Sequence, residues 1–515
     1  MKAISIVRAY KDKPLNCFLL AGYLSFLLFC QILVSANFQT YYLVLGGCMG
    51  VAASLIVAPI MIGLASNLNV GEKQAALKLS REKLRILFYV IPLFVLLLYY
   101  FAYYPGIFTP DSLWQYNQAT KHEYNDWHPV LQTLLTFWLP LTLSGGWKGS
   151  VVLLQVLTFA AALGYSFDTI YDYAGKRFVI ASMVFVLSNP LNCIAAIAWK
   201  DVSFAIGALL LMTFSLHIFM TKGLWLKHSI HMLLFIFAVV FTTIVRHNGI
   251  LFTAPLLFAI FFQISRKRFL TLLGAVVMMF AAIKGPLYSA LQVEKPDRRQ
   301  VETLGLPMTV IGAVVTYSPE TQEEDILNFA YQIAPRDMWE SYYVLGDFNN
   351  LKYKVDDNLN VIEEYGAAHV LNMMMRCIKA TPVIALSSLV KLTEGVFTIT
   401  DPHPVILEPG MSGGESILCQ LLYSMRAFSQ DFLPHVFLYY GVFDLIVILS
   451  VLAKCRLNKG KDWKILLFSW PLLVFNFGTS LLLTGNSDSP RFFYYTVVIL
   501  PVLIIFFYRE EEKAE

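Results

Sequence analysis

The chain has 515 residues, of which 57% are hydrophobic and only 14% charged, and its formal net charge is +4. A soluble domain carries about 25% charged residues, so this composition excludes an ordinary soluble protein. The sequence shows neither a basic patch on a polar domain nor a glycine-rich nucleotide loop, which argues against nucleic-acid binding and ATP-driven transport. The seven cysteines lack paired spacing, which favours small core residues over metal or redox sites.

Apolar blocks of about 20 residues, the length that crosses a bilayer core of about 30 Å, recur along the chain. The blocks are continuous rather than alternating, which predicts helices and not a barrel. The predicted spans are 15–35, 41–65, 85–103, 149–171, 178–191, 202–220, 230–246, 249–265, 269–290, 434–453, 464–484 and 491–508. The predicted fold is therefore an all-α polytopic membrane protein with about twelve transmembrane helices.

Lysine and arginine concentrate in alternate loops, and such loops stay in the cytoplasm. The residues concerned are Lys2, Arg8, Lys11, Lys13, Lys73, Lys78, Arg81, Lys83, Arg85, Lys176, Arg177, Lys222, Lys227, Arg266, Lys267, Arg268, Lys454, Arg456, Lys459, Lys461 and Lys464. Twelve spans place all of these loops and both termini in the cytoplasm of a multi-pass cell-membrane protein.

The same topology divides the chain into four parts. Residues 1–104 form N-terminal membrane helices, and 105–290 form a membrane core whose first outer loop, 105–149, is the expected catalytic loop. Residues 291–433 form an extracytoplasmic loop region, and 434–515 form C-terminal membrane helices. Two apolar stretches, 130–143 and 381–400, do not fit as spans, because counting either one alone would move the later basic loops outside. We expect both to lie at the outer interface.

The first outer loop carries two candidate elements. Asp111 directly follows Thr109-Pro110 at the start of a predicted helix, and capping of that helix is the structural alternative to a chemical role. Further along, Asp126 and His128 flank an interfacial tryptophan, Trp127.

Other polar side chains lie at the predicted outer ends of spans. They are Lys200, Asp201, Arg246, His247, Asn248 and Arg491. The structural alternatives are snorkelling of Lys200 or its pairing with Asp201, and interfacial anchoring by Arg491. Carboxylates can accept a proton from an attacking hydroxyl, whereas arginine and lysine bind phosphate. Their combination on one face of the membrane predicts an enzyme that uses a lipid-linked phosphate donor and an external acceptor.

This pattern resembles the GT-C fold superfamily of membrane glycosyltransferases, which take sugars from polyprenyl-phosphate carriers. Thr109-Pro110-Asp111-Ser112 is similar to the acidic motif of the family's first outer loop. Asp126-Trp127-His128-Pro129-Val130-Leu131 is similar to a second element, Asp-x-His-Pro-Pro-Leu, with Val130 in place of the second proline. The segments 246–249 and 490–495 are similar in placement to later basic motifs, and the Pro-Gly-x-x-x-x-Asp-Ser-x-x-Gln motif at 105–115 resembles that of bacterial membrane families.

The sequence also departs from the family pattern. The first motif has one acidic residue rather than a pair, and two extra spans precede the span before the catalytic loop. Asp201 stands where such enzymes often carry an acidic residue in the second outer loop.

The resemblance implies transfer of a sugar from a polyprenyl-phosphate-linked donor to a cell-envelope glycan, lipid or protein outside the cytoplasm. Asp111 would act as the general base of an inverting single displacement. Arg246 and Arg491, with Lys200, would stabilise the leaving phosphate, and Asp126 and His128 would orient the donor sugar or Asp111. A divalent metal, Mg²⁺ or Mn²⁺, would be held by Asp111 and Asp126 if the two converge.

Two alternatives remain open at this point. A transporter or flippase of a lipid-linked or polar solute would place ionisable residues within spans, where the candidates are Asp168, His217, Lys284 and Asp444. A polysaccharide polymerase or ligase would also join lipid-linked sugars in large outer loops.

Overall fold

The computed structural model describes residues 12–35, 38, 40–68, 80–296, 299–355, 358–397, 416–432, 440–454, 463–482 and 490–508. Throughout these ranges the chain forms helices and no strand. The helices of the first half are α1 (Pro14–Ser35), α2 (Thr40–Ser66), α3 (Arg81–Ala102), α4 (Pro110–Lys121), α5 (Val130–Thr133), α6 (Leu139–Leu143), α7 (Gly149–Leu187), α8 (Lys200–Met220), α9 (Ser229–Ile244), α10 (Ile250–Phe261), α11 (Arg266–Ala282) and α12 (Tyr288–Ala290). Single π-helical turns, Leu134–Trp138 and Ile283–Leu287, join α5 to α6 and α11 to α12.

The second half continues with shorter helices and ends in apolar ones. They are α13 (Arg299–Thr303), α14 (Gly305–Tyr317), α15 (Glu324–Ile333), α16 (Arg336–Tyr342), α17 (Asn349–Lys352), α18 (Asn360–Tyr365), α19 (Ala367–Ala380), α20 (Pro382–Leu392), α21 (Glu394–Phe397), α22 (Ile417–Phe432), α23 (Tyr440–Lys454), α24 (Trp463–Leu466), α25 (Trp470–Leu482) and α26 (Tyr495–Tyr508). Short 3₁₀ turns, Pro190–Ala196 and Pro490–Phe492, precede α8 and α26.

Seven of the described helices are long and apolar enough to cross a membrane. They are Pro14–Leu33, Leu43–Ser66, Arg81–Ala102, Gly149–Leu187, Lys200–Met220, Arg266–Ala290 and Trp463–Leu482. The prediction of an all-α, multi-pass membrane protein is confirmed. The count of twelve stays a prediction, since α9, α10 and α26 are shorter apolar helices. Two predicted spans, 149–171 and 178–191, lie in the single 39-residue helix α7, which breaks at Gly175, where φ is 75°.

One large hydrophobic core joins α3, α7, α8, α9, α10, α25 and α26. In helix α8, 78% of the most apolar 18-residue stretch is buried, which is typical of a helix at the centre of a bundle. In the apolar helix Arg266–Ala290 only 6% of such a stretch is buried, so this helix lies at the margin of the bundle.

Contacts between helix ends show which ends lie together. Arg81 at the start of α3 contacts Asp168 of α7 at 2.7 Å, and Thr169 contacts His217 near the end of α8 at 3.1 Å. The ends of α8 and α26 meet through aromatic rings, and Lys454 reaches both the Tyr508 ring of α26 and the Ser66 carbonyl of α2. These contacts bring the described parts of the predicted cytoplasmic loops to one end of the bundle, here called the basic end. Lys2, Arg8, Lys11, Lys73, Lys78, Arg456, Lys459 and Lys461 lie outside the described residues.

Residues 299–392 form a helical unit with a hydrophobic core of its own, centred on Met308, Trp339 and Met373. Helices α19 and α20 within it meet at a bend of 119°. The chain then runs alongside α1 towards the start of that helix, because the rings of Phe397 and Phe26 lie 5.3 Å apart. Phe26 precedes the end of α1 by nine residues, or about 14 Å at 1.5 Å per residue. The described part of 381–400 therefore does not lie flat across the C-terminal end of α1, as a helix at the interface would, but extends along the side of that helix.

Candidate functional site

A tight turn after α3 fixes where α4 begins. Gly106 has φ of 109°, and a Cβ there would lie 2.4 Å from Cγ2 of Val152, so only glycine fits. The next residue, Ile107, exchanges backbone hydrogen bonds with Ala196 and Ala198 at 2.9 and 3.0 Å. Pro110 then occupies the first turn of α4, a position where its missing N–H costs nothing. Asp111 is thereby held at the helix start, opposite the basic end; we call this end the site end.

Asp111 forms an ion pair with Arg491, 380 positions away. The Arg491 Nη1 atom donates to Asp111 Oδ2 at 3.1 Å, and the side chains are 27% and 41% exposed for Arg491 and Asp111. The Arg491 guanidinium also lies 5.2 Å from the centre of the Trp199 ring, whose indole N–H donates to Thr109 at 2.9 Å. Both partners are thus held in place and both remain open to solvent.

Charge and burial determine the protonation states of Asp111 and of its neighbour His128. Burial alone would raise the pKa of Asp111, but the positive charges of Arg491 and Lys200 outweigh it and lower that pKa below its ordinary value. Burial, with the nearby charge of Lys200, lowers the pKa of His128 to about 3. Asp111 is therefore a carboxylate and His128 a neutral imidazole at neutral pH. Lys200 Nζ donates to His128 Nδ1 at 3.3 Å, which leaves the ring proton on Nε2.

Asp126 pairs with a different cation, Lys284. Its carboxylate accepts from Lys284 Nζ and from the Tyr288 hydroxyl, each at 2.9 Å. Its backbone N–H donates to the Glu294 carbonyl at 3.0 Å. Lys284 lies on the π-helical turn between α11 and α12. Asp126 therefore fastens the first outer loop to the end of the span Arg266–Ala290.

Arg246 and Asp201 form a buried ion pair beneath the exposed one. Their side chains are 2.8 Å apart and only 6% and 2% exposed, so Asp201 pairs with Arg246 and not with the adjacent Lys200. The rings of Phe204, Phe475 and Phe492 lie within 5.6 Å of the Arg246 guanidinium. Arg246 Nη1 also donates to the Phe492 carbonyl at 3.3 Å, next to Arg491 in the chain. Since its charge is compensated and buried, Arg246 positions Arg491 rather than facing the solvent.

The neighbouring polar residues of the hinge 246–249 bind two further elements. His247 Nε2 donates to the Trp127 carbonyl at 3.2 Å, and Asn248 Nδ2 donates to Thr479 Oγ1 of α25 at 2.7 Å. A Cβ on Gly249 would lie 2.3 Å from the Thr242 carbonyl oxygen, so the hinge needs glycine. All predicted site residues thus lie at the site end, and each contacts another element there.

A cleft of about 650 Å³ opens beside Asp111. Its lining consists of Pro110, Asp111, Trp114, Asn117, Gln118, Lys121, Glu123, Tyr124, Asn125, Trp127, His128 and Glu294. Trp114, Gln118 and Lys121 follow Asp111 at steps of 3, 4 and 3 residues, which puts them on one face of α4. The sequence carries that periodicity, but of the residues on this face only Asp111 belonged to the predicted site. Glu294 and Tyr288 had no comparable signal, because they reach the site only through tertiary contact.

The described residues of the site do not assemble a metal-binding group. Within the described ranges, no group of three or more His, Cys, Asp or Glu side chains has the geometry to hold a metal ion. Asp111 and Asp126 have separate cationic partners, Arg491 and Lys284. The donor set expected for Mg²⁺ or Mn²⁺ is therefore not formed by these two carboxylates.

Of the four ionisable residues that were candidates for a transport pathway, three are paired or hydrogen-bonded near the ends of the bundle. Asp168 pairs with Arg81 and Arg85 at 2.7 and 2.8 Å. His217 contacts Thr169 and the Tyr173 hydroxyl, and Lys284 belongs to the Asp126 network. The fourth, Asp444 on α23, is fully buried and has no ion pair in the described part of the chain.

No protein family model matches this chain, and neither does any curated protein or solved structure. Function therefore rests on the chemistry of the site and not on a shared fold. That chemistry consists of a carboxylate, two cations and a neutral histidine beside a cleft lined by tryptophan and amide side chains.

Proposed function

We propose that this protein is a GT-C-type glycosyltransferase that moves a sugar from a polyprenyl-phosphate carrier to an acceptor outside the cytoplasm. The observation that carries the proposal is the half-exposed Asp111–Arg491 pair at the cleft. Because both side chains are accessible, the carboxylate can accept a proton from a hydroxyl and the cation can bind a phosphate. Tryptophan faces and amide groups in the cleft suit the apolar faces and hydroxyls of a sugar.

In the proposed reaction the acceptor oxygen attacks the anomeric carbon of the donor sugar. Asp111 takes the proton of the acceptor hydroxyl while the bond between the anomeric carbon and the phosphate oxygen breaks. The lipid phosphate leaves with the electron pair of that bond, and the anomeric centre inverts. Arg491 exchanges the Asp111 carboxylate for the phosphate, and with Lys200 it stabilises the negative charge that develops there.

The remaining contacts hold these groups in position. The buried Arg246–Asp201 pair fixes the backbone beside Arg491, and His128 accepts a hydrogen bond from Lys200. Asp126 and His247 hold the first outer loop against its neighbours. Because catalysis depends on placement to within fractions of an ångström, these residues belong to the proposal as positioning groups.

The proposal includes the membrane topology. Twelve spans, with both termini in the cytoplasm of the cell membrane, put the basic end inside and the site end outside. Aromatic side chains suit the site end to a membrane interface: the Tyr104 and Trp147 rings lie 6.4 Å apart there, and Lys148 lies 4.2 Å from the centre of the Phe108 ring. The proposed sidedness rests on the lysine and arginine bias alone. The acceptor would be a cell-envelope glycan, lipid or protein, and the 299–392 unit would shape its site.

The test is a transfer assay in membranes supplied with a polyprenyl-phosphate-linked sugar. Asp111→Asn keeps the shape of the side chain but removes the base, so we expect transfer to fall by about 10²–10⁴-fold. Asp172 pairs with Arg81 at the basic end, 2.6 Å apart, so Asp172→Asn is the matched control and should keep wild-type transfer. Unchanged transfer by a normally expressed Asp111→Asn protein would remove Asp111 as the base.

A further inference from the structure

Gln118 is a buried residue of the cleft to which the proposed transfer reaction gives no particular role. Its side chain is only 6% exposed, whereas Trp114 and Lys121, on the same face of α4, are exposed. All three residues line the cleft of about 650 Å³. The Gln118 side chain therefore lies at the bottom of the cleft, and the other two form part of its rim.

The orientation of the Gln118 amide is fixed by the backbone beside it. Gln118 Nε2 donates to the Asn125 carbonyl at 3.2 Å. The backbone around that carbonyl is held in turn, because Asp126 N–H donates to the Glu294 carbonyl at 3.0 Å and Glu294 N–H donates to the Tyr124 carbonyl at 2.9 Å. A flipped amide would set Gln118 Oε1 against the Asn125 oxygen, acceptor against acceptor. The amide oxygen must therefore take the other side.

Gln118 Oε1 is a buried acceptor without a hydrogen-bond partner among the described residues. Buried acceptors are almost always paired, and one that is left unpaired destabilises the state that contains it. In the wall of a cleft, a ligand that supplies an O–H or N–H group removes this cost. The loop contact with Asn125 uses only the amide nitrogen, so the oxygen remains available for a ligand.

Helix α4 places Gln118 at a defined distance from the proposed base. Gln118 follows Asp111 by seven residues, which is about two helical turns or about 10 Å at 1.5 Å per residue. Trp114 lies between them on the same face, and its side chain is 55% exposed. A pyranose ring that stacks on Trp114, with its anomeric carbon towards Asp111, directs the hydroxyl on its far side towards Gln118.

The polar groups at the rim of the cleft are less selective than Gln118. Lys121, Glu123 and Glu294 line the cleft but are exposed. Water replaces a hydrogen bond that an exposed group loses, whereas a buried group that loses its partner stays unpaired. Selection between similar sugars therefore depends most on the buried amide at the bottom of the cleft.

We propose that Gln118 selects the transferred sugar, because its Oε1 atom accepts a hydrogen bond from the hydroxyl across the ring from the anomeric carbon. In a hexopyranose this is the 4-hydroxyl. The inference rests on the proposed function and narrows its substrate class to sugars with a free hydroxyl at that position. A 4-deoxy or 4-O-methyl sugar leaves the Gln118 oxygen buried and unpaired, and sites of this kind reject such analogues strongly.

The experiment measures binding rather than transfer, on purified full-length protein in detergent. The probes are farnesyl-phosphate-linked glucose, mannose and galactose, followed by the 2-deoxy and 4-deoxy analogues of the sugar that binds best. Gln118→Met keeps the length of the side chain but has no amide oxygen. The matched control is Thr120→Val, which changes an exposed residue of α4 outside the cleft. Isothermal titration calorimetry gives Kd for each protein with each probe.

In the wild type and in Thr120→Val, loss of the 4-hydroxyl should weaken binding about 10–100-fold. In Gln118→Met the parent sugar should bind more weakly than in the wild type, and loss of the 4-hydroxyl should have no further effect. A shifted loop would instead weaken binding of the parent sugar and of both deoxy analogues alike. The 4-deoxy analogue therefore separates recognition by Gln118 from a structural role.

The same loss on removal of the 4-hydroxyl in Gln118→Met as in the wild type, or no loss in either, would overturn the inference and leave the proposed function standing. Failure of the wild type to bind any of the three sugars would contradict both. If Gln118→Met does not fold, Gln118→Asn, which withdraws the amide by one carbon, takes its place in the comparison with the same expected results.

Discussion

Asp111 and His128 both have lowered pKa values, and in each case the lowering preserves the form that the proposed mechanism needs. The carboxylate of Asp111 must be free of a proton in order to take one, and the cations around it keep it so. A weaker base than an ordinary aspartate would accept the proton late, as the sugar–phosphate bond breaks. His128 must stay neutral, because an imidazolium could not accept the hydrogen bond from Lys200.

The His128 pKa of about 3 predicts a pH-dependent stability. The folded value lies below the ordinary 6.5, so the unfolded chain binds more protons, and stability falls as pH falls from 6.5 towards 3. Between pH 7 and pH 5 His128 alone should cost about 2 kcal/mol of unfolding free energy, from about 1.36 kcal/mol per pH unit.

Equilibrium unfolding in detergent at the two pH values, for wild type and His128→Asn, measures this loss. The variant should lose less stability than the wild type on acidification. Equal losses in the two proteins would mean that His128 is not the buried neutral group described here.

Helix α4 is the element that connects the turn, the base and the cleft. Its start could be predicted from the sequence, because Thr109-Pro110 precedes an acidic first turn that the helix dipole favours. Its position could not, since that depends on Ile107 pairing with Ala196 and Ala198, about 90 residues away. The same limit applies to the Asp111–Arg491 and Asp126–Lys284 pairs. The residues of both pairs were named from sequence, but their partners follow from helix packing.

Gly106→Ala tests how strictly the turn positions α4. The substitution adds a positive-φ penalty and an overlap with Val152, so we expect a loss of about 1–3 kcal/mol in stability and a clear loss of transfer. Gly145→Ala is the matched control, because Gly145 has φ of 68° and nothing within 4 Å of the added Cβ.

Chemical unfolding and the transfer assay on both variants separate the two effects. The control should lose some stability and keep its transfer activity. Full transfer activity in Gly106→Ala would show that the placement of α4 tolerates a shift at this turn.

Across the whole molecule, the separation into a basic end and a site end follows from side-chain contacts. The sequence predicted the sidedness of the loops from lysine and arginine alone, and contacts such as Arg81–Asp168 and Asp111–Arg491 group the described loop ends in the same way. The sequence predicted a separate extracytoplasmic region at 291–433. It could not predict which helices would pack together there, because the core of 299–392 joins Met308, Trp339 and Met373 from distant parts of the segment.

Cysteine reporters test the orientation of these two ends. In a background without the native cysteines, we expect Lys121→Cys to react with a membrane-impermeant maleimide in intact cells, because it is exposed at the site end. Arg177→Cys, exposed near the basic end, should react only after permeabilisation. The reverse pattern would place the cleft in the cytoplasm.

The most direct measurement is a structure of the Asp111→Asn protein in lipid nanodiscs with a polyprenyl-phosphate-linked sugar. The phosphate should lie within hydrogen-bond distance of Arg491 and Lys200, and the sugar should occupy the cleft beside Trp114 and residue 111. A phosphate bound away from Arg491, with the cleft free of sugar at saturating donor, would contradict the proposed transfer site.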